Sequence, residues 1–311
     1  MAMATDVTRS VVGDSLRGEK RDLGGAIFAG LLFAALLAAL AILLLLFWDV
    51  GRRGVPLLAE RGLSFFTNGP SGSASKAGIG PALVGSLLMM AIVAVVAFPL
   101  GVGSAVYLEE YAHDTKLTRI ITTNIRNLAG VPSIVYGILG LVVFVEALNR
   151  ATDIRDTGAL ISGGLTLAVL VLPIVIITTS EALRAVPRTI REAAYGVGAT
   201  RWEVIRSHVL PYALPGIMTG VVISLARAFG ETAPLLLVGA VRGFFATTGG
   251  TLEQILHQPY TALPVQIFTW TSQPQEEFQD LAAAAILVMM LVLVLMNGVA
   301  IWLRNRYERR W

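Results

Sequence analysis

The length of its apolar runs is what most constrains this chain. Six segments, at 26–48, 82–106, 128–148, 158–180, 211–240 and 281–303, are apolar almost throughout. A hydrocarbon layer about 30 Å thick is crossed by roughly 20 residues of helix. Lipid offers no hydrogen-bond partner to free peptide groups, so each crossing segment must close its own backbone bonds as helix. The expected fold class is therefore an all-α membrane protein with six transmembrane helices. Composition agrees, with 55% hydrophobic and 14% charged residues. A soluble domain carries fewer of the first and more of the second. The chain has no cysteine, which excludes disulfides, thiolate metal sites and cysteine nucleophiles.

The chain divides into a tail (1–25), an anchor helix (26–48), an external loop (49–81), a five-helix core (82–303) with one long loop at 181–210, and a short tail (304–311). The first apolar run is longer than a signal-peptide core, so it reads as an uncleaved anchor. The stretch 68–80 is rich in Gly and Ser and reads as flexible. The segment 263–268 is apolar but too short to span, which leaves a re-entrant or an interfacial placement. Lys and Arg concentrate in the N-terminal tail, 107–127, 181–210 and the C-terminal tail. The opposite side holds Arg52, Arg53, Arg61, Lys76, Arg150, Arg155 and Arg242. For a multi-pass protein of the plasma (inner) membrane, the expected location, the positive-inside rule places both termini in the cytoplasm.

The loop 181–210 has the punctuation of two short helices. Pro187 suits a first helical turn, Gly196 and Gly198 suit a helix end and a turn, and Thr200 with Glu203 forms a capping box. Pro211 then opens the fifth membrane helix. The plain reading is an amphipathic connector. The sharper one starts from Glu192-Ala193-Ala194, followed by Gly198-Ala199 and Leu210-Pro211. This pattern resembles the EAA motif of binding-protein-dependent ABC importers, a coupling loop that seats a short helix in a groove of the ATPase subunit. No phosphate-binding loop accompanies it. None of the three lysines, Lys20, Lys76 and Lys116, follows the glycine-rich spacing a nucleotide needs. The chain is read as a transporter subunit and not an enzyme, with ATP and Mg²⁺ held by partner ATPase subunits and no cofactor of its own.

Inside the fifth apolar run stand Arg227 and Glu231, with Thr232 and Pro234 after them. A charge at the centre of a membrane helix costs about 2.5–3.5 kcal/mol even on a lenient scale. Four residues apart, the two share a helix face and can pair. One reading is a purely structural ion pair. The other is a lining of the transport path, because a guanidinium fork matches tetrahedral oxyanions. Glu231 would then compete for the fork and release the anion. Ser133 and Tyr136 are further candidates for the path, although polar groups in membrane helices often bond only to neighbouring helices.

Arg227-Ala-Phe-Gly-Glu231-Thr232-Ala-Pro234 resembles the corresponding helix of the phosphate-specific (Pst) importer permeases. So do Asn127 to Gly137, Tyr107-Leu-Glu-Glu-Tyr-Ala112 and Leu263-Pro-Val-Gln-Ile-Phe268. The last stretch is similar to the A-type and not the C-type subunit. The resemblance implies a type I ABC importer permease with a MetI-like core. It also implies a second, C-type permease, two ATP-binding subunits and an extracytoplasmic phosphate-binding protein, and it places Arg227 and Glu231 on the phosphate path. Two other functions compete with phosphate import. One is an ABC permease for another oxyanion such as sulfate. The other is a proton-coupled secondary transporter, which would have no use for an ATPase docking loop. The basic, aromatic C-terminus reads as a lipid-interface anchor and not as a nucleic-acid site.

Overall fold

The computed structural model describes residues 23–146, 150, 159–240 and 256–307. Among these it is helical, with five helices long and apolar enough to cross a membrane and a sixth candidate that is sharply bent. Residues up to Arg52 form one unit and Arg53–Trp311 a second.

Helix α1, Leu23–Arg61, begins in the first unit. Its large apolar side chains from Ile27 to Trp48 are all exposed, a surface that water would not tolerate and lipid tails do. The helix runs on to Arg61, so the segment expected as an external loop from residue 49 is helical in its first part. No turn residue stops it at Trp48, and Pro56 is accommodated within it. In the second unit, Arg53 reaches Asp280 at 3.6 Å. A Cβ placed on Gly54 would stand 2.9 Å from the Ala283 backbone.

The Gly/Ser stretch is ordered and not a flexible loop. After the short α2, Leu63–Thr67, the Arg61 guanidinium donates to the carbonyls of Ala77, at 2.7 Å, and Ala74. The Ile79 amide donates to the Phe65 carbonyl at 2.8 Å. Ala77 and Ile79 are fully buried. A run without large side chains lets the backbone itself become the packing surface.

The core is built on α3, Gly80–Val106, and α6, Leu160–Arg184. α6 is the central helix, with two-thirds of its most apolar stretch buried. Small residues set the helix approach, as expected where lipid removes the hydrophobic drive for association. A Cβ on Gly164 would stand 2.7 Å from Ile92, and one on Gly220 would meet the Thr178 hydroxyl. The latter glycine belongs to α9, Leu210–Gly230. The long α12, Glu276–Tyr307, follows.

Two spans and one loop helix differ from the sequence reading. The third span is not a straight helix over 128–148. It is an amphipathic α4, Lys116–Ala129, bent by 103° from α5, Ser133–Gly140, which continues through a π-helical turn, Leu141–Val145. Pro132 has no N–H to donate and biases Val131 away from helix, so the chain turns at Gly130-Val131-Pro132. Residues 147–149 lie outside the described residues. The fifth span ends at Gly230 and not at Ala240. Glu231 is extended (φ −77°, ψ 127°) and a separate α10, Ala233–Leu237, follows. Continuing the helix would drive the Pro234 ring into the carbonyl four residues back, that of Gly230. The short helix at Thr200 is also not separate. α8, Arg201–Val204, passes through a π-helical turn, Ile205–Val209, into α9, forming one 30-residue helix. The widened turn lies just ahead of Pro211, where a regular helix would clash.

Helix α11, Leu263–Thr271, holds the short apolar segment. Leu263, Pro264, Val265, Gln266 and Trp270 are buried, and the Leu263 amide donates to the Ser86 hydroxyl at 2.8 Å. The segment is thus packed into the helical core. Most of the loop before it, 241–255, lies outside the described residues.

Candidate substrate path and coupling surface

Arg227 sits in the last turn of α9, and Glu231 is the first residue beyond it. The guanidinium Nη2 lies 3.4 Å from Glu231 Oε1, longer than a charge-assisted hydrogen bond of about 2.7–2.9 Å. The side chains are 45% and 15% exposed in the single chain. The pair is therefore not sealed inside the chain, as a reading of a fully buried structural pair would require. Its cation faces outward, with donors left over. Thr232 follows in the break and starts α10 without a side-chain cap bond. With Gly230, Pro264, Ile267 and Met289 it lines an apolar cavity of about 410 Å³.

The third span comes to the same place. Tyr136 is buried, and its hydroxyl donates to the Leu128 carbonyl at 2.8 Å, bracing the α4–α5 bend. A Cβ on Gly137 would stand 2.7 Å from Pro234 Cα, so α5 lies directly on α10. Two motifs a hundred residues apart in sequence thus meet at the helix break. Ser133 is partly exposed as the first residue of α5, and no contact ties it to the pair.

The loop expected as a coupling element forms α7, Arg188–Gly196, with Pro187 immediately before it. Glu192 and Ala193 are exposed, Ala194 is buried, and Ala199 is half-buried. The Ala199 amide closes back on the Ala194 carbonyl at 3.2 Å. Gly198 turns the chain at φ +85°, a conformation that costs residues with a Cβ. The Thr200–Glu203 capping box is present in both directions.

Sequence reasoning missed what holds this loop. Glu109 Oε2 and Oε1 accept from Arg184 Nε and Nη2, both at 2.8 Å, and Glu110 accepts from Arg191 at 2.8 Å. The Arg201 guanidinium lies 5.0 Å from the centre of the Tyr111 ring. A signal was present, since adjacent acids at 109–110 and the arginine-rich 181–210 lie in loops assigned to one side.

Apolar helices joined by short polar connections, a charged helix break and an exposed helix on the loop define a multi-pass membrane permease. The chain belongs to the family described as the binding-protein-dependent transport system inner membrane component, which matches residues 97–311. It is accordingly a membrane subunit of an ABC transporter, in the inner membrane. Among its relatives, the phosphate transport system permease protein PstA of Yersinia pestis is 34% identical over 76% of each chain. PstA 1 of Mycobacterium tuberculosis is 33% identical over 94% of this chain and 92% of its own. The probable ABC transporter permease protein YqgI of Bacillus subtilis is 36% identical over 68% of each. Among solved structures, a bacterial alginate ABC transporter superposes with a TM-score of 0.62 at 16% identity, over 93% of this chain and 99% of that one. The MetNI methionine ABC transporter gives 0.58 at 17% identity, over 73% and 95%. At these identities the structures bear on the fold alone.

Proposed function

We propose that this chain is one permease half of an ATP-driven importer of inorganic phosphate that works by alternating access. The observation that carries the reading is Arg227. A guanidinium fork stands at a break in an apolar helix, only loosely engaged by Glu231. Such a fork presents parallel donors to a tetrahedral oxyanion. The relatives named as phosphate transport permeases support phosphate as that anion.

In this reading Arg227 holds the passing anion and Glu231 competes for the guanidinium, so that binding is not terminal. Glu231 also accepts a hydrogen bond from protonated phosphate, which fully ionised sulfate cannot donate. Thr232, Ser133 and Tyr136 line or brace the same passage. The second half is a C-type permease, and the path runs between the two. ATP and Mg²⁺ belong to two separate ATP-binding subunits. These dock on the exposed Glu192 and Ala193, with Ala194 packed beneath them and Gly198 and Ala199 setting the turn behind. An extracytoplasmic phosphate-binding protein delivers the anion. The distribution of Lys and Arg supports cytoplasmic termini.

The test is the initial rate of labelled phosphate uptake in cells carrying the complete transporter with native Arg227 or Arg227→Gln, at matched membrane assembly. Uptake is expected to fall roughly tenfold or more, the scale of a lost hydrogen bond to a charged group. Unchanged uptake returns Arg227 and Glu231 to a structural pair. Equal uptake of sulfate and phosphate by the native transporter counts against phosphate as the substrate.

A further inference from the structure

The cytoplasmic end of α3 ends in a π-helical turn, Tyr107–Tyr111. Two carboxylates stand in the last turn of a long helix, where the unpaired carbonyls already make the end negative. Helix energetics alone argue against acids there, so their placement calls for cations, and the structure supplies them. Three consecutive residues each take one arginine from a different element around the coupling loop. Glu109 takes Arg184 from the end of α6, Glu110 takes Arg191 from α7, and Tyr111 takes Arg201 from the start of α8. A π turn is wider than an α turn, so successive side chains fan over a narrower arc and can face one loop together.

Arg191 is the centre of this arrangement. Besides Glu110, its guanidinium donates to the Val186 carbonyl at 2.8 Å and the Leu183 carbonyl at 3.0 Å. One side chain of α7 thereby joins the end of α3, the last turn of α6 and the connection between α6 and α7. The planar fork makes these bonds from two nitrogens at once, Nη1 to Val186 and Nη2 to Glu110 and Leu183. Both partners are largely buried, 20% and 9% exposed. An apolar cluster including Ala105, Leu183, Val186, Ala194 and Val204 stiffens the same region. Beside it, an open groove of about 620 Å³ is bounded by Glu109, Glu110, Arg188, Arg191 and Arg201.

We infer that the turn Tyr107–Tyr111 is the joint through which movement of the coupling loop reaches the membrane helices, with Glu110 and Arg191 as its positioning residues. This rests on the proposal that α7 docks an ATPase. A load applied to α7 passes through the Arg191 guanidinium to α3 and α6 together. Glu109–Arg184 and Tyr111–Arg201 keep the neighbouring helix ends in step. Without the Glu110 charge, α7 still docks but slides against α3.

The test uses the complete transporter in proteoliposomes with inorganic phosphate as the probe, comparing native Glu110 with Glu110→Gln. Phosphate taken up and ATP hydrolysed are measured in the same vesicles. Because the native chain has no cysteine, Ser104→Cys on α3 also gives this chain a single thiol, and its maleimide labelling rate, read on the separated chain with and without ATP, follows the helix. The expected result for Glu110→Gln is roughly tenfold less phosphate per ATP, with the ATP-dependent change in labelling abolished. A native ratio and a native labelling response in Glu110→Gln overturn the joint. If that variant loses its ATPase partner, the pair Glu110→Cys and Arg191→Cys, tied by a short bifunctional maleimide, decides. Recovery of the phosphate-to-ATP ratio on cross-linking supports the joint, and recovery of assembly alone overturns it. Native vesicles that hydrolyse ATP without taking up phosphate refute the substrate reading. The labelling response in the Ser104→Cys chain still decides the joint.

Discussion

Arg227 is informative because its surroundings do not satisfy it. A guanidinium has five donors, and its ion pair to Glu231 is long at 3.4 Å. Lysine would keep the charge but lose the planar fork. Arg227→Lys is therefore expected to retain assembly and raise the phosphate concentration for half-maximal uptake roughly tenfold, as one lost charge-assisted bond implies. Uptake kinetics in cells check this, and an unchanged half-saturation would show that point charge suffices. Glu231→Gln removes the carboxylate charge paired with Arg227. The expected outcome is a lower half-saturation concentration with a lower maximal rate, since a more tightly held anion leaves slowly. A lower rate with unchanged half-saturation would instead place Glu231 in the conformational step. The sequence made both residues conspicuous, because charges in apolar runs are costly. It did not disclose their exposure, because that depends on the helix ending at Gly230.

At the level of elements, punctuation was easier to read than continuity. The capping box at Thr200 and Glu203 and the turn at Gly198 stood where local chemistry demanded them. The breaks at Pro132 and Pro234 were harder, because a proline in an apolar run either kinks a helix or ends it. Pro99 and Pro173 lie inside α3 and α6 without ending them. Neighbouring packing decides between these outcomes, as where Pro234 lies on Gly137. Gly198→Ala places a Cβ at φ +85°, which costs about 1–2 kcal/mol. It is expected to reduce the amount of ATPase that co-purifies while leaving the permease in the membrane, as quantitative blotting of both would show. In the core, Gly164→Leu forces a side chain into Ile92, whose Cβ lies 2.9 Å from the new atom's position. Overpacking of this kind costs about 1–3 kcal/mol, to be read as a lower Tm of the detergent-solubilised protein. An unchanged Tm would mean that α3 and α6 separate without penalty.

For the molecule as a whole, the decisive fact is how much apolar and functional surface one chain leaves open. Arg227 is half-exposed, and Ile134, Val135, Ile138 and Leu139 on α5 are exposed. A path for an anion needs walls on all sides, and this chain supplies only part of them. Vesicles containing this chain alone are accordingly expected to take up phosphate no faster than bare lipid. Vesicles with the second permease, the ATP-binding subunits and the phosphate-binding protein are expected to accumulate it with ATP. Uptake by the isolated chain would contradict the two-half path.

Local sequence determined the membrane setting, most helices, the caps and turn of the loop 181–210 and the unusual charge at Arg227. Each follows from the cost of moving a peptide group or a side chain between water and lipid, which depends on composition and spacing alone. Tertiary structure decided where helices three and five break, that the Gly/Ser stretch is pinned by Arg61, and which arginines meet Glu109 and Glu110. Those outcomes depend on which groups distant segments bring within about 3 Å, the range over which hydrogen bonds act, and no local pattern encodes that distance.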